Sequence, residues 1–229
     1  MAYDDVRAMV EAASLGMPVS TWRMKASEGS RLLSGDRRLT QLRIANMILR
    51  PVDGVLADAN FFRDFAQADE ESKHDLIYAR YLASMPLGVA VAQALFKPAL
   101  RNGRTTIERH LVDAAIRAAV PETTSPATID RSRTSFGTEF SRAGVVRVRR
   151  DGALSLANFR PSALAVFHVI NEDLRSRREA TDAWLATESM ASALYAFEPG
   201  VVRDYIEQLV AMGRLQRSYY GGEPRVLAA

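Results

Sequence analysis

The stretch from Thr105 to Leu156 is the most constrained part of the chain, because proline, glycine and hydroxyl residues punctuate it at positions that leave few folds open. Thr105 or Thr106 is fit to cap a helix running to Val120, with Glu108 in a first turn that the helix dipole favours, and Pro121 ends it. Ser125-Pro126 supplies an N-cap followed by proline at the first helical position, so a second helix starts there and runs to Ala143, with Gly144 as the stop. A short hairpin follows. With Arg150-Asp151-Gly152 as a three-residue loop and Gly152 left-handed, Val146 and Val148 share a face with Leu154 and Leu156. A two-residue loop would set the valines against Ser155 and Ala157 and split that face, so the three-residue register is expected.

Spacing separates the two sides of the second helix. At about 100° per residue, Ile129, Phe136, Phe140 and Ala143 cluster toward a core. Arg131, Thr134, Ser135, Thr138, Ser141 and Arg142 take the other side, with Asp130 and Glu139 on its flanks. Small hydroxyl donors beside arginine suit a helix that lies against phosphates and base edges. Gly137, weak in a helix interior, suggests a close approach, to a nucleic acid or to another helix. In the hairpin, Arg147 faces outward opposite Ser155, Arg149 lies beside it and Arg150 stands at the tip. Residues 131–150 hold six arginines (131, 133, 142, 147, 149 and 150) against Glu139 alone, whereas residues 1–100 hold twelve basic and twelve acidic residues. Such a local basic patch is the footprint of a phosphate binder. A solvated arginine-rich face is the alternative, since 27 of the 30 basic residues are arginine.

The first hundred residues read as helical. DRRLTQLRIANMILR, 36–50, puts Leu39, Leu42, Ile44, Ile48 and Leu49 on a broad apolar face that Pro51 stops. Further helices are expected over 58–67, 70–84 and 87–97, with Pro98 and Asn102-Gly103 as breakers, and a loosely tied one over 3–14. The longest uncharged run, 81–96, is short of the roughly 20 apolar residues that a spanning helix needs, and the N-terminus does not read as a secretory signal. The chain has no cysteine, which excludes disulfides, thiolate zinc sites and cysteine nucleophiles and fits a cytoplasmic protein.

The grammar then repeats. A helix over 161–178 leads to helical text at 182–196, a tight turn at Phe197-Glu198-Pro199-Gly200, and a helix of VVRDYIEQLVAM that Gly213 breaks. Two strand-like runs about Gly221-Gly222 complete it. Val201, Val202, Tyr205, Ile206, Leu209, Val210 and Met212 take the core side here. Arg203, Asp204, Glu207, Gln208 and Ala211 are left outside with net negative charge, which repels phosphates. Either this copy docks protein through Asp204 and Glu207, or only its hairpin (Arg217, Tyr219, Tyr220, Arg225) touches nucleic acid; the protein role is favoured.

Helix, turn, capped helix and basic hairpin is the order of a winged helix-turn-helix. The string VRDYIEQLVAMGRLQR with the later GG and PRVL, about 45 residues, resembles the second half of a winged-helix domain of bacterial regulators. A looser resemblance over roughly 40–165, at Thr128, Arg131, Phe140, Ala143 and Gly144, is to the BrxA family, small DNA-binding components of BREX phage-exclusion systems. These resemblances imply a mainly α fold with small β-hairpin wings. An N-terminal helical domain (1–103) would precede two winged helix-turn-helix domains, over 104–160 and, with a linking helix, over 161–229.

No catalytic pattern accompanies this. His74, His110 and His168 form no HExxH-like pair, no phosphate-cradling glycine motif occurs, and Asp69, Glu70, Glu71 and Asp75 read as a dipole-favoured helix start. The expectation is a non-enzymatic protein without metal, cofactor or small-molecule substrate. It binds double-stranded DNA through Arg131, Arg133, Thr134, Ser135, Thr138, Arg142, Arg147, Arg149, Arg150, Arg217 and Arg225, as a BREX-like defence component or a transcriptional regulator. An adaptor that uses its winged helices as protein docks is the alternative.

Overall fold

Residues 2–29, 36–220 and 223–229 are described by a computed structural model, which is mainly helical with small antiparallel sheets. The chain divides into two units, Met1–Ser84 and Met85–Ala229. The first contains α1 (Tyr3–Glu11), α2 (Val19–Gly29), α3 (Asp36–Leu49), α4 (Ala59–Gln67) and α5 (Glu70–Ala83). Short carboxylates start two of them: Asp58 accepts from the Phe61 amide at 3.1 Å and Asp69 from the Ser72 amide at 2.8 Å. Buried Trp22 ties α2 to α1 by donating from Nε1 to the Met9 carbonyl at 2.9 Å. Arg80 on α5 is also buried. Its Nε donates to the Ile48 carbonyl at 3.1 Å, its Nη1 pairs with Asp58 at 2.5 Å, and its guanidinium lies 5.0 Å from the Phe61 ring centre. One side chain thus joins α3, α5 and the cap of α4, with its charge neutralised by Asp58.

One expectation for this unit is corrected. The apolar face of α3 does not include Leu39, which is exposed; buried Gln41 takes part instead, its Oε1 accepting from the Ala2 amide at 3.3 Å. The sequence gives no bounds for α2, because VSTWRMKASEG carries little apolar periodicity and is fixed by Trp22 alone among its large side chains.

The second unit contains α6 (Pro86–Arg101), β1 (Thr106–Ile107), α7 (Arg109–Ala119), α8 (Pro126–Arg142), β2 (Val146–Val148) and β3 (Leu154–Leu156). It continues with α9 (Ala163–Arg177), β4 (Ala180–Thr181), α10 (Asp182–Glu188), α11 (Met190–Leu194), α12 (Pro199–Ala211), β5 (Leu215–Tyr220) and β6 (Glu223–Ala228). The same order therefore occurs twice, with α10 and α11 together standing where α7 stands. Both sheets are antiparallel and both seat the hairpin's second strand in the middle, β1-β3-β2 and β4-β6-β5. The first hairpin has the expected register, Val146 opposite Leu156, Arg147 opposite Ser155 and Val148 opposite Leu154. Gly152 is left-handed at φ 80°, and the Arg149 amide donates to the Ala153 carbonyl at 2.9 Å to close the loop.

The first repeat begins earlier than the sequence suggests. α6 runs through Pro98 to Arg101, since a proline near a helix end removes one hydrogen bond without breaking the remainder, and α6 belongs to the second unit. Its Phe96 packs on Phe136 and Phe140 of α8, with ring centres 6.0 and 5.6 Å apart. Thr106 and Ile107 are a strand, not the first turn of a helix. They pair with Ser155 and Leu154, Ile107 is buried, and α7 starts at Arg109. The text at 182–196 forms two helices, because Ser189 breaks it and caps α11 by accepting from the Ser192 amide at 3.0 Å. Asp173 on α9 accepts from the Met190 amide at 2.8 Å at that same helix start, and burial pushes its carboxyl up to about 6. Among the described residues no single helix is long and apolar enough to cross a membrane.

Candidate nucleic-acid interface

α8 is built from its cap. Ser125 accepts from the Thr128 amide at 3.2 Å, Pro126 opens the helix, and Gly144 ends it at φ 80°, where the ring of Phe159 also leaves no room for a side chain. A Cβ at residue 144 would lie 2.9 Å from that ring. Ile129, Phe136, Phe140 and Ala143 are buried, as the spacing predicts. Arg131, Thr134, Ser135 and Arg142 are exposed, and Thr138 and Ser141 are half-buried beside them. Thr134 donates its hydroxyl to the Asp130 carbonyl at 3.0 Å, which leaves its oxygen as an acceptor. Glu139 lies inside the core, not on a flank, with the Arg142 Nη1 3.6 Å away.

Arg133 leaves the expected set. It is 14% exposed, paired with Asp130 on its own helix and with Asp113 on α7 at 3.2 Å. Arg109, which local spacing did not single out, joins the same cluster at 3.7 Å from Asp130 and 3.9 Å from Asp113. Its alkyl chain also lies 3.2 Å from where a Cβ on Gly152 would stand. Two arginines and two aspartates thus hold α7, α8 and the hairpin loop together with no net charge. These arginines position the surface; they do not add to it.

The hairpin packs on α8 at Gly137. A Cβ there would meet the Val148 side chain at 3.3 Å and Leu154 at 3.6 Å, so this glycine serves the hairpin, neither a ligand nor another helix. Since Val148 points toward α8, Arg147 and Arg149 project from the opposite face of β2. Arg147, Arg149 and Arg150 are all exposed. Arg149 stands 3.7 Å from Asp151, and Arg131, Arg147 and Arg150 have no acidic partner among the described residues.

The second repeat treats its arginines differently. Arg217 on β5 is 18% exposed and donates to both oxygens of Glu207 on α12, at 2.7 and 2.8 Å, and to Asp182 at 2.7 Å. These hydrogen bonds hold the Glu207 carboxyl below the ordinary carboxylate range and raise Arg217. Arg225 on β6 pairs with Glu179. Both are paired with carboxylates, unlike Arg131, Arg147 and Arg150 of the first repeat. On α12, Arg203, Asp204, Glu207, Gln208 and Ala211 are exposed as predicted. Met212, assigned to the core side, is exposed as well, because it follows the last helical residue and turns away. Tyr219 is exposed; the side chain of Tyr220 and the Gly221-Gly222 turn lie outside the described residues.

The histidines are dispersed. His110 is exposed beside Glu108, His74 packs between the rings of Tyr3 and Tyr78, and His168 is buried on α9. Among the described residues no group of three or more acidic or histidine side chains could hold a metal ion.

No family model and no curated protein matches the chain. A solved structure described as SspB is similar in fold, with a TM-score of 0.58 and 15% identity over 98% of this chain and 80% of that one.

Proposed function

We propose that the chain is a non-enzymatic, double-strand DNA-binding protein whose second unit is a pair of winged helix-turn-helix repeats, the first of which carries the DNA contact. One observation supports this above the others: the first repeat leaves five arginines exposed on α8 and its hairpin, three of them without an acidic partner among the described residues, while the second repeat pairs Arg217 and Arg225 with carboxylates. In this reading Arg131, Thr134, Ser135, Thr138 and Arg142 face the major groove, where short donors and guanidinium forks meet base edges and phosphates. Arg147, Arg149 and Arg150 reach the flanking backbone or minor groove. The neutral cluster of Arg109, Asp113, Asp130 and Arg133 sets the angle between α7 and α8 and anchors the loop of the wing. A fluorescent duplex titrated at about 100 mM salt, followed by anisotropy, tests the reading: saturable binding is expected, and its absence overturns it.

The exposed Asp204 on α12, next to a Glu207 that Arg217 already pairs, favours a second role for the other repeat, docking of a protein partner, since a carboxylate without a cation partner among the described residues repels phosphates. What supports a place in a BREX-like system is the sequence resemblance alone. Of its five positions, Phe140, Ala143 and Gly144 are core and turn residues that shape the end of α8, so Thr128 and Arg131 are the two that face outward.

A further inference from the structure

We propose a phosphate-binding cleft in the second repeat, separate from α8 and its hairpin, in which Arg177 and Arg225 hold the anion. The cleft has a volume of about 280 Å³ and lies between the end of α9, β4, α10 and β6, lined by Arg177, Glu179, Ala180, Thr181, Trp184 and Arg225. The guanidinium carbon of Arg177 stands 4.0 Å from the Trp184 ring centre. Stacking engages the face of a guanidinium and leaves its edge donors unused, so this arginine is oriented before any ligand arrives. It makes no ion pair among the described residues. Across the cleft Arg225, opposite Thr181 in the β4–β6 ladder, gives one end of its fork to Glu179. Its Nε is buried and has no acceptor among the described residues.

Within the lining two guanidiniums face one carboxylate, Glu179, and Asp173, one turn before Arg177 on α9, adds a second acidic group in the field of Arg177. Each guanidinium has the planar fork that phosphate oxygens take in pairs. Arg178, next in the chain, is exposed and without an acidic partner among the described residues. It holds a left-handed backbone at φ 70°, with its amide on the Leu174 carbonyl at 2.6 Å. A non-glycine residue in that region concentrates at ligand clamps and turns. The inference does not depend on how α8 acts, and its ligand is either a phosphate of a polynucleotide backbone or that of a free nucleotide.

The chain's two tryptophans make the test direct. Trp22 is buried with its Nε1 donated to Met9 and is expected to be silent, whereas Trp184 is half-buried in the cleft. Titrating the full chain with pyrophosphate should give a saturable change in tryptophan emission. Arg177→Ala and Arg225→Ala should each raise the half-saturation concentration about tenfold or more, as loss of a charge-assisted bond implies. Arg177→Lys, which keeps the charge and loses the fork, should fall between. Trp184→Phe should abolish the optical change while calorimetry still records binding. The triple variant Arg131→Ala, Arg147→Ala, Arg150→Ala should respond as the wild type does, whatever becomes of its duplex binding. Displacement of pyrophosphate by a short duplex, in that triple variant too, assigns the cleft to polynucleotide; no displacement assigns it to a free nucleotide or phosphate. A wild-type response that does not saturate, or that survives Arg177→Ala unchanged, overturns the proposal.

Discussion

Gly137 on α8 lies so close to Val148 on β2 that a Cβ at residue 137 would stand 3.3 Å from the valine Cγ2. This contact sets the distance between the helix and the hairpin, and therefore between Arg131 and Arg142 on one and Arg147, Arg149 and Arg150 on the other. Gly137→Ala gains helix propensity of about 1 kcal/mol and pays with a tight contact that half-exposed Val148 can relieve. Its stability should stay within about 1 kcal/mol of wild type. Gly137→Leu has no such relief and should destabilise by roughly 1–3 kcal/mol, as overpacking does, and weaken duplex binding by displacing the hairpin. Denaturant melts and anisotropy titrations on both variants check this; equal duplex affinity in the leucine variant would mean that the hairpin's position is immaterial.

Arg133 and Arg217 are predicted to be structural. Arg133→Ala leaves Asp113 and Asp130 to Arg109 alone, and Arg217→Ala frees Asp182 and Glu207, so each variant should lower the melting temperature by a few degrees. Neither should flatten the salt dependence of duplex binding. The Arg217 contribution also has a pH signature. Glu207 has a depressed carboxyl in the fold, so the stability it lends is present above the ordinary carboxylate range and is lost as pH falls through its folded value. The gap in melting temperature between wild type and Arg217→Ala should therefore narrow on acidification. A gap that is constant from pH 7 to pH 3 would remove the pair from the account.

Asp173 carries the opposite sign. Its folded carboxyl is raised to about 6, so it is protonated in both states only about one unit below the ordinary carboxylate value, and the folded form loses stability as pH rises toward 6 because the unfolded chain ionises first. Asp173→Asn keeps an acceptor for the Met190 amide and cannot ionise. Relative to wild type it should differ least at pH 4 and be more stable above pH 6, by on the order of 2 kcal/mol. Chemical denaturation at pH 4, 5, 6 and 7.5 reads this directly, and a difference that shrinks with rising pH would contradict it.

What the sequence disclosed and what it hid follow from the range of the interactions. The Ser125 cap, the Gly144 stop and the Val146–Leu156 register are set by neighbours a few residues apart, and the left-handed Gly152 made one loop length consistent with one apolar face. The outward side of α12 was legible for the same reason, through a 3.6-residue period. β1 was not, because two residues have no period and Thr106–Ile107 become a strand only when β3 arrives beside them. The fates of Arg133 and Arg217 were equally hidden. Asp130 lies one turn from Arg133 on the same helix, but Asp113, Asp182 and Glu207 come from other elements, so composition alone could not separate an arginine that faces solvent from one that staples two elements. Ser189 breaks a stretch whose composition is uniformly helical, and its role as a cap is visible only with Ser192 in place.

The measurement closest to the central claim is the salt dependence of duplex affinity for the wild type and for Arg131→Ala, Arg147→Ala, Arg150→Ala combined. With five exposed arginines on α8 and its hairpin, the plot of log affinity against log salt should fall with a slope of about −4.5, from about 0.9 per neutralised phosphate. The triple variant should be shallower by about two to three units. An unchanged slope in that variant, or a slope flattened instead by Arg133→Ala or Arg217→Ala, would contradict the placement of the DNA contact on the first repeat.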